Sequence, residues 1–141
     1  MTTTIPIKII SIDNDGYHLL TTLKINDKKA FVIIDTGASR SVFDKERIKR
    51  FVQKRSKKIK DKLSTGLGTN TMQSHQITFR SILIGKLKLT DYVTVLLDLS
   101  HVNNSYRQLG MNEIDGVIGS DILQKHHAVI DYKKAILKLS Y

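Results

Sequence analysis

The chain has 141 residues, enough for one domain with a single core, and we expect residues 1–141 to form that domain. The absence of cysteine excludes disulfides, thiolate metal sites and cysteine nucleophiles. The net charge is +10. The sequence has neither a membrane-spanning apolar run nor a secretory leader at its start, so it predicts a cytoplasmic protein.

Strand patterns dominate the first part of the chain. Residues 5–12 and 17–25 flank the turn-forming residues 13–16 and are predicted to form a hairpin. Another turn at residues 26–28 leads into a predicted strand over residues 29–34. That strand is apolar at its end, which is typical of a strand buried in a core.

An aspartate follows this buried strand directly, in the order Asp35, Thr36, Gly37, Ala38 and Ser39. A carboxylate at the end of a buried strand is costly unless it is paired, neutralised or used in chemistry. Gly37 allows a tight turn beside it, and Ala38 and Ser39 keep its surroundings uncrowded. The alternative is an ordinary strand-to-turn exit in which the aspartate serves turn chemistry. The pattern favours a catalytic Asp35.

Most of the positive charge is concentrated between Lys45 and Lys62. This segment contains ten Lys or Arg residues against Glu46 and Asp61, a net charge of +8. We interpret it as a solvated helix on the surface of the domain. A patch for nucleic acid or an anionic membrane is the alternative, and it is not favoured because the segment has one aromatic residue and no recognised nucleic-acid motif.

Helical spacing supports this interpretation of the basic segment. Ile48, Phe51 and Val52 are spaced at i, i+3 and i+4, which predicts a thin buried stripe. Asp44 stands where a capping residue is expected.

Strand signals resume after the basic segment. Residues 63–71 and 73–84 are predicted to form a second hairpin, followed by a strand over residues 87–97. Residues 99–112 are polar and irregular and are predicted to be a surface loop. The chain ends in a strand, a short helix and a hairpin that turns at residues 131–134. This order indicates an all-β, barrel-like domain with one or two short helices.

Metal and cofactor sites are not predicted. His126 and His127 are adjacent, so their side chains point in different directions and a structural role is favoured over metal binding. Gly66 and Gly68 lack the third glycine of a dinucleotide-binding fingerprint.

Two blocks of sequence resemble the aspartic proteases. The segment from Asp35 to Ser39 resembles the active-site signature, and Ala38 is typical of the retroviral, retropepsin-like branch. Val117, Ile118 and Gly119, followed by a short helix, are similar to the motif of two hydrophobic residues and a glycine that comes later in the family. The resemblance covers roughly residues 23–139, and it implies a closed, barrel-like domain of the pepsin or retropepsin type.

The family's chemistry requires two carboxylates, whereas this chain has a single Asp-Thr-Gly. Asp115 is the nearest candidate for a second carboxylate, but it precedes Gly116 rather than ending a matching strand. The resemblance therefore implies a homodimer in which each chain donates Asp35. It further implies that Thr36 bonds across to the partner chain and that the Gly37 backbone helps to hold the pair.

The implied activity is an aspartic endopeptidase that hydrolyses peptide bonds through a water activated by the paired Asp35 carboxylates, without metal or cofactor. Gly66, Leu67 and Gly68 stand where the family carries the flap that closes over an extended peptide substrate. An alternative is a non-catalytic barrel of the same fold that binds peptides or a polyanion.

Overall fold

The structure, a computed structural model, describes residues 1–12, 14, 16–52, 57–58 and 75–141. In chain order the elements are β1 (Thr2–Pro6), β2 (Lys8–Ser11), β3 (Tyr17–Ile25), β4 (Lys28–Ile34), β5 (Val42–Asp44), a 3-10 helix (Arg47–Arg50), β6 (Lys57–Lys58), β7 (His75–Ile84), β8 (Leu87–Leu97), α1 (Ser100–Gln108), β9 (Gly116–Ile118), α2 (Ser120–Lys125), β10 (Val129–Asp131) and β11 (Ile136–Ser140).

Six strands close into a barrel in the order β3, β4, β9, β5, β8 and β7. The barrel closes where β7 pairs back onto β3, with Lys24 opposite Leu83. Buried side chains fill the interior, and the rings of Phe43 and Phe79 meet edge to face there with centroids 5.0 Å apart. The predicted all-β, closed-barrel fold with short helices is confirmed.

The first predicted hairpin forms in part. β2 pairs with β3, with Ile9 opposite Leu19. β1 instead pairs with β11, and Pro6, which has no N–H to donate, ends it. The turn between β3 and β4 is confirmed, because Asn26 and Asp27 have φ angles of 48° and 68°, the left-handed conformation that a two-residue hairpin turn requires.

Of three later strand predictions, two are confirmed and one is described only in part. The strand predicted over residues 87–97 is confirmed as β8, which pairs with β7. The predicted hairpin of residues 63–71 with 73–84 is described only from residue 75, where β7 begins. The C-terminal hairpin is confirmed by the pairing of β10 with β11.

The surface loop predicted for residues 99–112 is wrong, because α1 occupies most of it. The buried side of α1 consists of Asn103 and Tyr106, a polar residue and a single aromatic, so the helix has no apolar stripe to reveal it. Asn103 replaces such a stripe with two hydrogen bonds to the backbone of Ile114, of 3.1 and 2.7 Å. Across the described parts of the chain, no helix is long and apolar enough to cross a membrane.

The long basic helix predicted between residues 45 and 62 is also wrong in its extent. A single turn of 3-10 helix spans Arg47–Arg50, and Lys57–Lys58 form strand β6 on the edge of β7. Residues 53–56 and 59–62 lie outside the described part of the chain.

The predicted cap and stripe are confirmed in part. Ile48 and Phe51 are buried, whereas Val52 is half-buried. Glu46 occupies the N-cap position, and Asp44 acts from two residues before it, where its Oδ2 accepts the N–H of Arg47 at 2.9 Å. Directly after the helix, the carbonyl of Phe51 accepts a hydrogen bond of 3.0 Å from the Nδ2 of Asn26 in the β3–β4 turn, which satisfies one of the carbonyls left open at a helix end.

Candidate active site

Asp35 directly follows β4, which lies between β3 and β9 in the barrel wall. Its N–H donates to the carbonyl of Ile118 at 3.0 Å, so the backbone is fixed at the point where the strand ends. The side chain is exposed, and its Oδ1 accepts the N–H of Gly37 at 2.9 Å. A buried strand thus presents one oriented carboxylate at the surface.

Residues 35–39, here called the Asp35 loop, form a tight turn. The N–H of Ala38 donates to the carbonyl of Asp35 at 3.2 Å, and the carbonyl of Ala38 accepts the N–H of Ser120 at 2.7 Å. Thr36 and Ser39 are exposed. The start of α2 therefore stabilises the loop through its backbone, and the polar side chains of the loop are exposed.

The second predicted motif supports this loop from the neighbouring strand. Val117 and Ile118 belong to β9, which runs parallel to β4. A Cβ on Gly119 would lie 2.6 Å from the carbonyl oxygen of Ala38 and 2.8 Å from that of Arg40, both backbone atoms. Because side chains do not fit at such distances, only glycine allows this approach of the two segments.

A polar cluster that was not predicted from the sequence joins Ser41, two residues after the Asp35 loop, to α2. The Oδ1 of Asp121 accepts hydrogen bonds from the Oγ and N–H of Ser41, at 2.7 and 3.0 Å. The Oγ of Ser41 in turn accepts the N–H of Gly119 at 2.9 Å, and the hydroxyl of Tyr92 donates to the Oδ2 of Asp121 at 3.1 Å. Asp121 thus connects α2 to β8 and to Ser41, which lies between the Asp35 loop and β5.

A model of the aspartyl protease family matches residues 21–122, which include the Asp35 loop and the β9 motif. The chain belongs to the aspartyl protease family. A comparison with functionally curated proteins finds no significant match.

Solved structures share the fold of this family member. A retropepsin-like aspartic protease from Rickettsia conorii has a TM-score of 0.60 at 24% identity, over 100% of this chain and 94% of that one. The retroviral protease-like domain of Ddi1 from Leishmania major has a TM-score of 0.57 at 18% identity, over 86% of this chain and 87% of that one. The EIAV protease complexed with the inhibitor HBY-793 has a TM-score of 0.52 at 19% identity, over 82% of this chain and 93% of that one. The fold is retropepsin-like.

Asp115, considered above as a second carboxylate, is bound to arginines in this chain. It is fully buried and accepts hydrogen bonds from Arg47 Nε at 2.9 Å, Arg50 at 2.6 Å and the N–H of Phe31 at 2.9 Å. Phe31 lies four residues before Asp35 on an extended strand, a separation of about 13 Å. Asp115 therefore neutralises part of the basic segment and lies away from the Asp35 loop.

Two other predictions concern the expected flap and the adjacent histidines. Gly66, Leu67 and Gly68 of the expected flap lie outside the described residues. Within the described ranges, no group of three or more His, Cys, Asp or Glu side chains is arranged to hold a metal ion. His126 Nδ1 lies 3.0 Å from the carbonyl oxygen of Ser140, a contact between α2 and β11.

The hydrogen bonds of the cluster around Asp121 lower the pKa of its carboxyl, which predicts a stability that depends on pH. Partial burial acts to raise the pKa of Asp121, but hydrogen bonds from Ser41, the Ile122 backbone and Tyr92 outweigh it and lower that pKa. Burial and the neighbouring Asp121 charge raise the pKa of Tyr92 to about 12, so its hydroxyl remains a donor.

We expect Asp121 to contribute stability above its ordinary pKa of about 4, and this contribution to be lost as the pH falls through the lower folded value. Urea unfolding of wild type and Asp121→Asn at neutral and acidic pH measures it: the difference between the two proteins should be largest near pH 7 and shrink below about pH 4. A smaller difference is expected for Tyr92→Phe, which removes one hydrogen bond. A difference in the free energy of unfolding between wild type and Asp121→Asn that stays the same at every pH would contradict the prediction.

Proposed function

We propose that this protein is an aspartic endopeptidase that acts as a homodimer, in which two Asp35 carboxylates share one water. The observation that carries the proposal is the exposed Asp35 carboxylate, oriented by the Gly37 N–H at the end of a buried strand. Asp115 is bound by two arginines, so a second chain is the natural source of the second carboxylate.

The proposed chemistry follows from two carboxylates held too close for both to ionise. One is charged and takes a proton from the shared water, which attacks the scissile carbonyl. The other is protonated and donates to the developing oxyanion, and a proton then passes to the leaving nitrogen. In each protomer the Gly37 N–H would keep one carboxylate oxygen in place during these transfers.

One face of the protomer supports dimerisation next to the Asp35 loop. Thr36 borders a recess of about 270 Å³, whose other lining residues come from α2, β10 and the connection between them: Ser120, Leu123, Gln124, His127, Ala128 and Ile130. β10 is an edge strand of the terminal sheet as described, and Val129 and the nearby Tyr132 are 56% and 62% exposed. A second copy bound here would cover apolar surface and the unpaired edge of β10. It would also bring the two Asp35 loops together.

Activity is expected to fall on dilution, because the proposed site exists only in the dimer. Light scattering and specific activity measured over the same concentration series should decline together. A monomer at high concentration with undiminished specific activity would rule out the shared site.

Incubation with a diverse peptide library, with cleavage sites located by mass spectrometry, tests the endopeptidase proposal directly. We expect cleavage within peptides and inhibition by a statine-type inhibitor such as pepstatin. Peptide binding without cleavage by the dimer would instead identify a non-catalytic binding barrel.

A further inference from the structure

We propose that His18 and Tyr106 determine substrate specificity: Tyr106 of α1 orients the imidazole of His18 beside Asp35, so that a His18 N–H donor binds a side chain of the substrate. The inference rests on the proposed endopeptidase function.

The register of β3 and β4 brings His18 to the edge of the barrel where Asp35 lies. The last pair of this ladder is Leu19 opposite Ile34, and both side chains are buried in the barrel. If the register is continued by one step beyond the end of the ladder, His18 lies opposite Asp35. Because side chains alternate between faces, these two belong to the outer face of the sheet, and residues directly opposite have Cα atoms roughly 4.5–5.5 Å apart.

Tyr106 attaches α1 to this outer face. Its side chain is 1% exposed, and its hydroxyl lies 2.6 Å from the Nδ1 of His18. The two rings are tilted by 40° with centroids 5.8 Å apart. Asn103 fixes the same helix to Ile114, shortly before β9, so α1 is anchored on the side of β3 and on the side of β9.

The chemistry of the pair sets the tautomer of His18. Burial raises the pKa of Tyr106 to about 12, so the hydroxyl keeps its proton at any working pH. A buried hydroxyl proton needs an acceptor, and Nδ1 is the acceptor at hydrogen-bond distance. A neutral imidazole that accepts at Nδ1 carries its proton on Nε2.

The half-buried His18 therefore offers an Nε2–H donor next to the carboxylate that would activate water. A substrate side chain with an oxygen acceptor, such as that of Gln or Asn, would satisfy this donor at the subsite nearest His18. An aliphatic side chain of similar length would leave it unpaired, and enzymes discriminate strongly against substrates that leave a site's polar group without a partner.

Paired peptides that differ by Gln or Leu at one position, scanned across the cleavage site, test the inference. Wild type should favour Gln at one position by about tenfold in kcat/KM, the discrimination of a single hydrogen bond. His18→Leu should remove that preference and leave the others unchanged, and His18→Gln, which retains an amide donor, should restore part of it. Tyr106→Phe should weaken it by roughly threefold to tenfold.

Tyr17→Phe is the matched control, because Tyr17 precedes His18 but is 69% exposed and, by the alternation of the strand, lies on its other face. Folding of every variant is checked by circular dichroism. Peptide preferences identical in wild type, His18→Leu and Tyr106→Phe would overturn the inference while leaving the proposed endopeptidase intact.

A wild-type protein that cleaves no peptide would instead overturn the proposed function. The inference is then decided by NMR of the imidazole of His18 during titration with pepstatin. A shift of the His18 signal that is absent in Tyr106→Phe supports the pair as part of the substrate-binding site. No shift of that signal overturns it.

Discussion

Peptide cleavage by Asp35→Asn is expected to fall by roughly 10²–10⁴-fold, because the substitution removes the group that exchanges protons with the attacking water. The fold should be unaffected, since the side chain is exposed and an Asn Oδ1 can still accept the Gly37 N–H. Initial rates on the peptide found in the library screen measure the loss, and circular dichroism and light scattering measure fold and assembly.

Asp98→Asn is a closely matched control for this experiment. Asp98 is exposed, and its Oδ1 accepts the N–H of Ser100 two residues later, at 2.9 Å, as Asp35 does with Gly37. The same chemical change in the same local geometry should leave cleavage unchanged. Asp35→Asn with near wild-type rates would remove Asp35 from the mechanism, whereas equal losses in both variants would point to a general effect of charge.

The second large effect is expected on stability, from Asp115→Ala. This change leaves Arg47 and Arg50 without their buried partner and the Phe31 N–H without an acceptor. Removing one partner of a buried ion pair typically costs about 3–5 kcal/mol in the free energy of unfolding. Because a change of 1 kcal/mol shifts the Tm of a domain of this size by about 2–4 °C or more, the midpoint should fall by roughly ten degrees.

Asp27→Ala is the control for this loss of an ion pair. Asp27 pairs with Arg80 at 3.2 Å, but both side chains are largely exposed, so little change in stability is expected. Thermal unfolding of both variants makes the comparison. If Asp115→Ala instead kept wild-type stability and lost activity as Asp35→Asn does, Asp115 would be part of the reaction and not of the scaffold.

Prediction from sequence succeeded where the determining pattern is local. The apolar run before Asp35 identified β4, and the residues Asn26 and Asp27 identified the turn before it, because turn chemistry and strand periodicity act over a few residues. It failed at α1, where Asn103 takes the place of an apolar residue, and in the basic segment, where Lys57 and Lys58 pair with β7 instead of continuing a helix.

The sequence by itself determined that a carboxylate ends a buried strand and that a glycine follows two apolar residues later in the chain. The first pattern predicted a tight turn at Asp35, whereas the meaning of the second came only from the resemblance to the aspartic proteases. Only the tertiary structure decided which polar groups satisfy one another. Ser41 meets Asp121 across 80 residues of chain, and His18 meets Tyr106 across 88. Each of these residues is ordinary in its own neighbourhood. Hydrophobic periodicity encodes which face of an element is buried but carries no information about the partner of a polar side chain, so these pairs exist only once the barrel has closed.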